Sequence, residues 1–307
     1  MIMHMDQGAA QRCIEAALRR KPERLVRLEG VTNNGVYAFS VGGEGYIFKA
    51  YRSPDWPEDG KLPFVNRVLR ERRIPCAELI AFRRYDDALG CGWLIERQVP
   101  GLAADRAAMD ERETVQFYGE LGRLVSRVHQ IELQRYGYIG SGVPSHARQV
   151  DFYADEWEDR FGVLVREGVF TQASLACLRD RFMTMLTDFA DLPPVLCHGD
   201  LSLKNVIIQP NGDLALIDWD DATAFCWMAD IARMTAWMRM QHDEADMQAY
   251  RRAFLAEYQT GYRREDFDRF EAAYHIYTAL DNLVYFRAVG DGEGAARMKA
   301  WAAQKMV

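Results

Sequence analysis

The chain has 307 residues, 49% of them hydrophobic and 27% charged, with a net charge of −7. That length buries a large core and suits one large domain or two lobes; the composition excludes extensive disorder, and no apolar run approaches the length of a membrane-spanning helix. The charge is uneven: residues 1–100 carry a net +3 and residues 101–307 a net −10, so nucleic acid is a poor partner for the second part and a cationic small molecule a better one, unless the acids are simply a solvated surface. Cys13, Cys76, Cys91, Cys177, Cys197 and Cys226 show no C-x-x-C spacing, which argues against a structural zinc site or a disulfide framework and for a reducing cytoplasm. Residues 1–6 have neither the basic start nor the apolar stretch of a signal peptide, and nothing points to a membrane.

In chain order, residues 36–41 and 46–51 are rich in β-branched and aromatic side chains and read as strands. Gly42-Gly43-Glu44-Gly45 between them predicts a hairpin with a three- to four-residue turn. Residues 62–73 read as a helix ended before Pro75, and 91–96 as a further strand. Val99-Pro100-Gly101 breaks the pattern. The boundary is placed there, between a small mixed lobe over 1–99 and a mainly helical lobe over 100–307. Phe117, Leu121, Leu124, Val125 and Val128 recur at helical spacing and predict a helix over 113–131. Segments 151–167, 172–190, 244–260 and 266–288 also read as helices, and 195–218 interrupts them with strand-like runs.

That interruption carries the chemistry. It reads His198-Gly199-Asp200, then Asn205 opening an apolar run, then Asn211-Gly212, then a second apolar run ending in Asp218. Asn-Gly between apolar runs is a strong hairpin signal. With Asn211 and Gly212 as a two-residue turn, Asn205 falls directly opposite Asp218. Opposed Cβ atoms lie about 5 Å apart, so the amide and carboxylate oxygens would share one hard cation such as Mg²⁺. Asp200, in the loop before the first strand, is left to act on a substrate proton.

The spacing H-x-D-x-x-x-x-N over His198, Asp200 and Asn205 resembles the catalytic loop of the kinase fold, and Ile217-Asp218-Trp219 resembles the metal-binding Asp that follows it. The His-Gly-Asp start and Ile-Asp-Trp end are similar to those of the aminoglycoside phosphotransferase family, which includes choline, homoserine and macrolide kinases. Residues 279–283 also resemble the hygromycin B phosphotransferases. The resemblance spans most of the chain. It implies a protein-kinase-like α+β fold of two lobes, a small β-rich one and a larger, mainly helical one. It also implies transfer of the γ-phosphate of ATP, with Mg²⁺, to a small-molecule hydroxyl.

It further implies roles. Asp200 takes or aligns the hydroxyl proton, and Asn205 and Asp218 hold the metal. Lys49, one of only six lysines, holds the phosphates. Asn34 and Gly35, in the loop 30–36, cover them, and Glu96 and Gln98 lie where the hinge would bind adenine. His198 and Asp230 are structural supports, and His129 packs. Two departures stand out. The acid that normally pairs with the strand lysine would fall near Leu62; the nearest acids are Glu58, Asp59 and Glu71, with Glu58 the first candidate. The usual Gly-Asp-Pro before Asp230 is replaced by Phe225-Cys226-Trp227-Met228.

For the acceptor, Asp281 shares a helix face with Phe270, Tyr274, Tyr277, Val284 and Ala288. A carboxylate on an apolar stripe needs a partner: a buried Arg or Tyr, or an ammonium or hydroxyl of the substrate. Asp155, in the run Asp151, Asp155, Glu156, Glu158 and Asp159, is another candidate unless that run is a solvated face; Asp221 is the third. The sequence thus admits an aminoglycoside-type kinase, a metabolic kinase of choline, an amino alcohol or a sugar, and a non-catalytic nucleotide-binding module.

Overall fold

A computed structural model describes residues 7–28, 34–143, 145–258 and 263–306. The chain divides into two compact units. The first comprises Met1–Ala108, Ile139–Val143 and Leu203–Ala222, the second Met109–Tyr138, Pro144–Ser202 and Thr223–Val307.

In the first unit, helix α1 (Gln7–Leu18) is followed by strands β1 (Arg24–Arg27), β2 (Gly35–Val41) and β3 (Glu44–Ala50), helix α2 (Lys61–Glu71), and strands β4 (Leu79–Asp86) and β5 (Cys91–Arg97). The strands form one antiparallel sheet in the order β1-β2-β3-β5-β4. Alternation decides its two faces. Tyr37, Phe39, Val41, Tyr46, Phe48, Trp93 and Ile95 form one core with Ala10, Cys13 and Ile14 of α1. Val36, Lys49 and Leu94 lie side by side on the other face, as do Ala38, Ile47 and Glu96. The β2–β3 turn is tighter than expected: Val41 pairs with Glu44, leaving only Gly42 and Gly43, both at positive φ. Two successive left-handed residues make the turn that matches strand twist, and glycine adopts it without penalty.

Three short strands complete this unit, in the order 214–216, 206–208, 102–103. Gly101 brings them together. At φ +136, it approaches Ile208 so closely that a Cβ would lie 2.2 Å from that residue's carbonyl oxygen. The hairpin register differs by one from the expected one. Leu216 pairs with Val206, and Gln209 N–H donates to Asp213 O at 2.9 Å. The loop is therefore Pro210-Asn211-Gly212, and Asn205 accepts from Ile217 N–H at 3.0 Å instead of facing Asp218. Proline is the reason: a two-residue turn would put Pro210, which has no N–H, at a paired position. Its fixed φ suits the start of a three-residue loop closed by Gly212 at φ +87.

The second unit is helical: α3 (Glu111–Val128), α4 (Gln149–Arg166), α5 (Gln172–Asp188), α6 (Trp227–Gln241), α7 (Glu244–Glu257), α8 (Arg264–Val289) and α9 (Gly292–Gln304). A small sheet pairs Thr223–Phe225 with Val195–Cys197 and Gly137–Tyr138. Asp110 and Glu113 cap α3 reciprocally. Tyr153, Phe182, Tyr274 and Tyr277 form its aromatic centre. The mixed α+β architecture is the expected one. Helix α6 was not expected, because it is buried almost all round, from Trp227 to Met238, and so lacks an amphipathic period. Among the described residues no helix is long and apolar enough to cross a membrane.

Candidate active site

In the first unit, Lys49 Nζ donates to Oδ1 of Asp218 at 2.5 Å and to Oδ2 of Asp220. The two acids are placed differently. Asp218 adopts φ 64, ψ 63, a left-handed conformation that costs a non-glycine residue energy and concentrates at functional sites. Its side chain is 40% exposed, that of Asp220 only 7%. Oδ1 of Asp220 accepts from the buried Tyr51 hydroxyl at 2.9 Å, and its carbonyl accepts from Lys61 Nζ at 3.0 Å. Lys61 is fully buried, paired with Glu58, and stacked 4.4 Å from the centroid of the Trp56 ring. Burial alone would lower the Lys49 pKa, but Asp220 and Asp218 outweigh it and hold the ammonium well above its ordinary value. Burial pushes the Asp220 carboxyl up, against the pull of Lys49.

The acid expected to serve Lys49 is thus neither Glu58, which holds Lys61, nor Glu71, which pairs with Arg67. Asn205 is buried one pairing position from Asp218. Asn34 Oδ1 accepts from Arg52 N–H at 3.2 Å, and Gly35 opens β2 opposite Ala50; residues 30–33 of the expected phosphate cover lie outside the described residues. Glu96 lies opposite Ile47, and burial raises its carboxyl to about 7 despite the attraction of Lys49. The exposed Gln98 donates its N–H to Gly45 O at 3.0 Å. Asp221 is exposed at the end of the 219–221 turn.

In the second unit, the loop at 198–199 and His129 converge on Asp230. His198 N–H donates to its Oδ2 at 2.8 Å and Gly199 N–H to its Oδ1 at 2.9 Å. His129 Nε2 lies 3.1 Å from Oδ2, and its Nδ1 lies 2.7 Å from the Tyr258 hydroxyl. Burial would raise the Asp230 pKa, but these partners hold it below the usual carboxylate value. Asp200 donates its N–H to His198 Nδ1 at 3.3 Å. Asp281 is engaged by Arg160, at 2.6 Å, and by Arg233. The partner its apolar stripe required is a pair of guanidinium groups, and this corrects its candidacy for the acceptor. Asp155 is exposed and contacts His146 Nε2 at 2.9 Å. The sequence singled out none of Tyr51, Lys61 and Asp220; the only signal was the second acid of Ile217-Asp218-Trp219-Asp220.

A model of the phosphotransferase enzyme family matches residues 24–267. The chain belongs to this family of phosphotransferase enzymes. Among curated proteins none matches the sequence. Solved structures share its fold. Aminoglycoside phosphotransferase APH(4)-Ia aligns with TM-score 0.74 and 19% identity over 98% of each chain. The gentamicin complex of APH(2″)-IIa aligns with TM-score 0.67 and 15% identity over 99% of each. A candidate fructosamine-3-kinase from Haemophilus somnus 129PT aligns with TM-score 0.71 and 12% identity over 97% of this chain and 96% of its own.

Proposed function

We propose that the chain transfers the γ-phosphoryl group of ATP to a hydroxyl of an aminoglycoside-type molecule. The observation that carries the transfer is the convergence of Lys49, on β3, and Asp218, in the loop after strand 214–216, in the unit that also buries Asn205. Phosphoryl transfer needs alignment and charge neutralisation more than covalent chemistry. Lys49 would hold the phosphates, Asn34 and Gly35 would lie beside them, and the main chain at Glu96 and Gln98 would meet the base. In this reading 1–99 bind nucleotide and 100–307 supply catalysis and the acceptor site. Asp200 would accept or align the acceptor proton, on a loop whose backbone His198 and Asp230 support.

Asn205 and Asp218 fit a Mg²⁺ ion: an amide and a carboxylate are the hard oxygen donors it prefers, and the Asp218 side chain is exposed enough to turn toward one. Bound there, the ion would neutralise phosphate charge. The acceptor class rests on the net −10 of residues 101–307, which suits a polycation, with exposed Asp155 and Asp221 still candidates for it. Thermostable APH(4)-Ia variants in ternary complexes with hygromycin B and ADP or AMP-PNP support both substrates.

The likeness to a fructosamine-3-kinase candidate favours a second acceptor class, a sugar, choline or amino-alcohol metabolite. ADP release measured across aminoglycosides and such alcohols separates the two. Asp200→Ala or Asp218→Ala turning over at the wild-type rate would refute the mechanism. Binding of Mg-ATP with no turnover of any acceptor would instead indicate a non-catalytic module. A cytoplasmic setting, with a role in antibiotic resistance, follows from the first reading; a sensitive bacterium expressing the protein and gaining no tolerance to any aminoglycoside would count against it.

A further inference from the structure

We propose that Asp220 is the positioning residue of Lys49, locked by Tyr51 and Lys61, and that it replaces the helix glutamate of the kinase pattern. The proposal rests on the reading of Lys49 as the phosphate-holding cation. A lysine ammonium is a point charge on a flexible stem, so it needs a fixed counter-ion to present it to a phosphate. In protein kinases that ion comes from the helix after the strand. Here that helix, α2, begins with Lys61, a cation buried completely. Its charge is met by Glu58, and its Nζ grips the main chain of Asp220.

Lys49 and Tyr51 are two residues apart on an extended segment, so they point the same way; the segment continues past β3, with Tyr51 N–H donating to Gly92 O at 2.9 Å. Together they take both oxygens of one carboxylate, Lys49 at Oδ2 and Tyr51 at Oδ1. With both oxygens engaged and its carbonyl held by Lys61, the Asp220 carboxylate has no alternative orientation. Asp218 also accepts from Lys49 Nζ, at 2.5 Å, but its side chain is 40% exposed, where a metal ion can reach it. The two acids of Ile217-Asp218-Trp219-Asp220 therefore divide the labour: the first faces the reaction, the second fixes the lysine.

The test is equilibrium binding of AMP-PNP and of adenosine, first at the Mg²⁺ concentration that just saturates the wild type and then at higher Mg²⁺, to the full chain and to Lys49→Met, Asp220→Asn, Tyr51→Phe and the Tyr51→Phe/Asp220→Asn double variant. Asp220→Asn is expected to lose about tenfold in AMP-PNP affinity, the scale of one charge-assisted contact, with adenosine affinity unchanged. Tyr51→Phe should lose about threefold and add nothing in the Asp220→Asn background. Equal losses for adenosine would mean a merely structural role and overturn the proposal. So would recovery of AMP-PNP affinity at higher Mg²⁺, which would make Asp220 a metal ligand. Unchanged binding in both single variants, with Lys49→Met impaired, sinks the proposal alone; Lys49→Met binding like wild type sinks the underlying reading too. Tyr51→Phe keeps the ring, so it decides the matter if Asp220→Asn does not fold.

Discussion

The main-chain amide of His198 donates to the carboxylate of Asp230 across 2.8 Å, so the loop that carries Asp200 hangs from a side chain of α6. Gly199 uses the other oxygen. Asp230→Asn would turn one acceptor into an NH₂ group facing an N–H. The expected outcome is a stability loss of about 2 kcal/mol, the cost of a buried polar group left unsatisfied, and a fall in kcat larger than any change in nucleotide KM. Thermal unfolding and steady-state kinetics check the two.

Asp281 holds two arginines from different helices, Arg160 on α4 and Arg233 on α6. Asp281→Asn would leave both guanidinium groups without their carboxylate, at a cost of about 3 kcal/mol. Burial would raise the Asp281 pKa, but the arginines hold it below its ordinary value. Its contribution is therefore present above the unfolded carboxylate value, about 3.9, and is lost as pH falls through the lower folded one. Denaturant titrations below pH 4 should show a shallower acid limb in the variant than in wild type.

Glu96 and His275 tilt the pH dependence in opposite directions. Burial raises Glu96 to about 7, so the folded chain binds more protons there than the unfolded chain. Stability falls as pH rises toward that value. Glu96→Gln should be more stable than wild type at pH 8, by about 3 kcal/mol, and the difference should vanish below pH 4. Burial lowers His275, which contacts Ala232 O and Trp301, to about 3. Stability is therefore lost as pH falls from the ordinary histidine value toward 3, and His275→Gln should flatten that part of the curve.

The helices α3, α4, α5, α7 and α8 were legible because their signals are local, apolar residues at helical period, and the loop that carries Asp200 stood out for the same reason, by its fixed motif spacing. The β2–β3 pair was legible from its β-branched and aromatic alternation. Helix α6 was not, because burial on all sides erases the period. The hairpin register failed on one residue, Pro210, whose missing N–H outweighs the preference of Asn-Gly for a two-residue turn. Asp220 was invisible as a partner of Lys49 because an ion pair between residues 171 positions apart leaves no local pattern.

Gly101 sets the approach of 102–103 to 206–208. Gly101→Ala would force a Cβ into the Ile208 carbonyl and a disfavoured φ, at a cost of about 2 kcal/mol. Gly212→Ala, also at positive φ but in open space, should cost about 1 kcal/mol. Comparing the two melting temperatures separates steric clash from backbone strain.

The return of Leu203–Ala222 to the first unit sets an order of events during synthesis. A nascent chain that ends at residue 108 has the whole five-stranded sheet but not the carboxylate that its buried ammonium requires. Such an intermediate keeps Lys49 hydrated or keeps the sheet open, since an unpaired charge is costly to bury. The loop that must close is long, and closure over long separations is slow. Within the first unit the surroundings of Lys49 therefore mature last, after the ribosome has added Asp220, and a fragment made of the first 108 residues would not reproduce them.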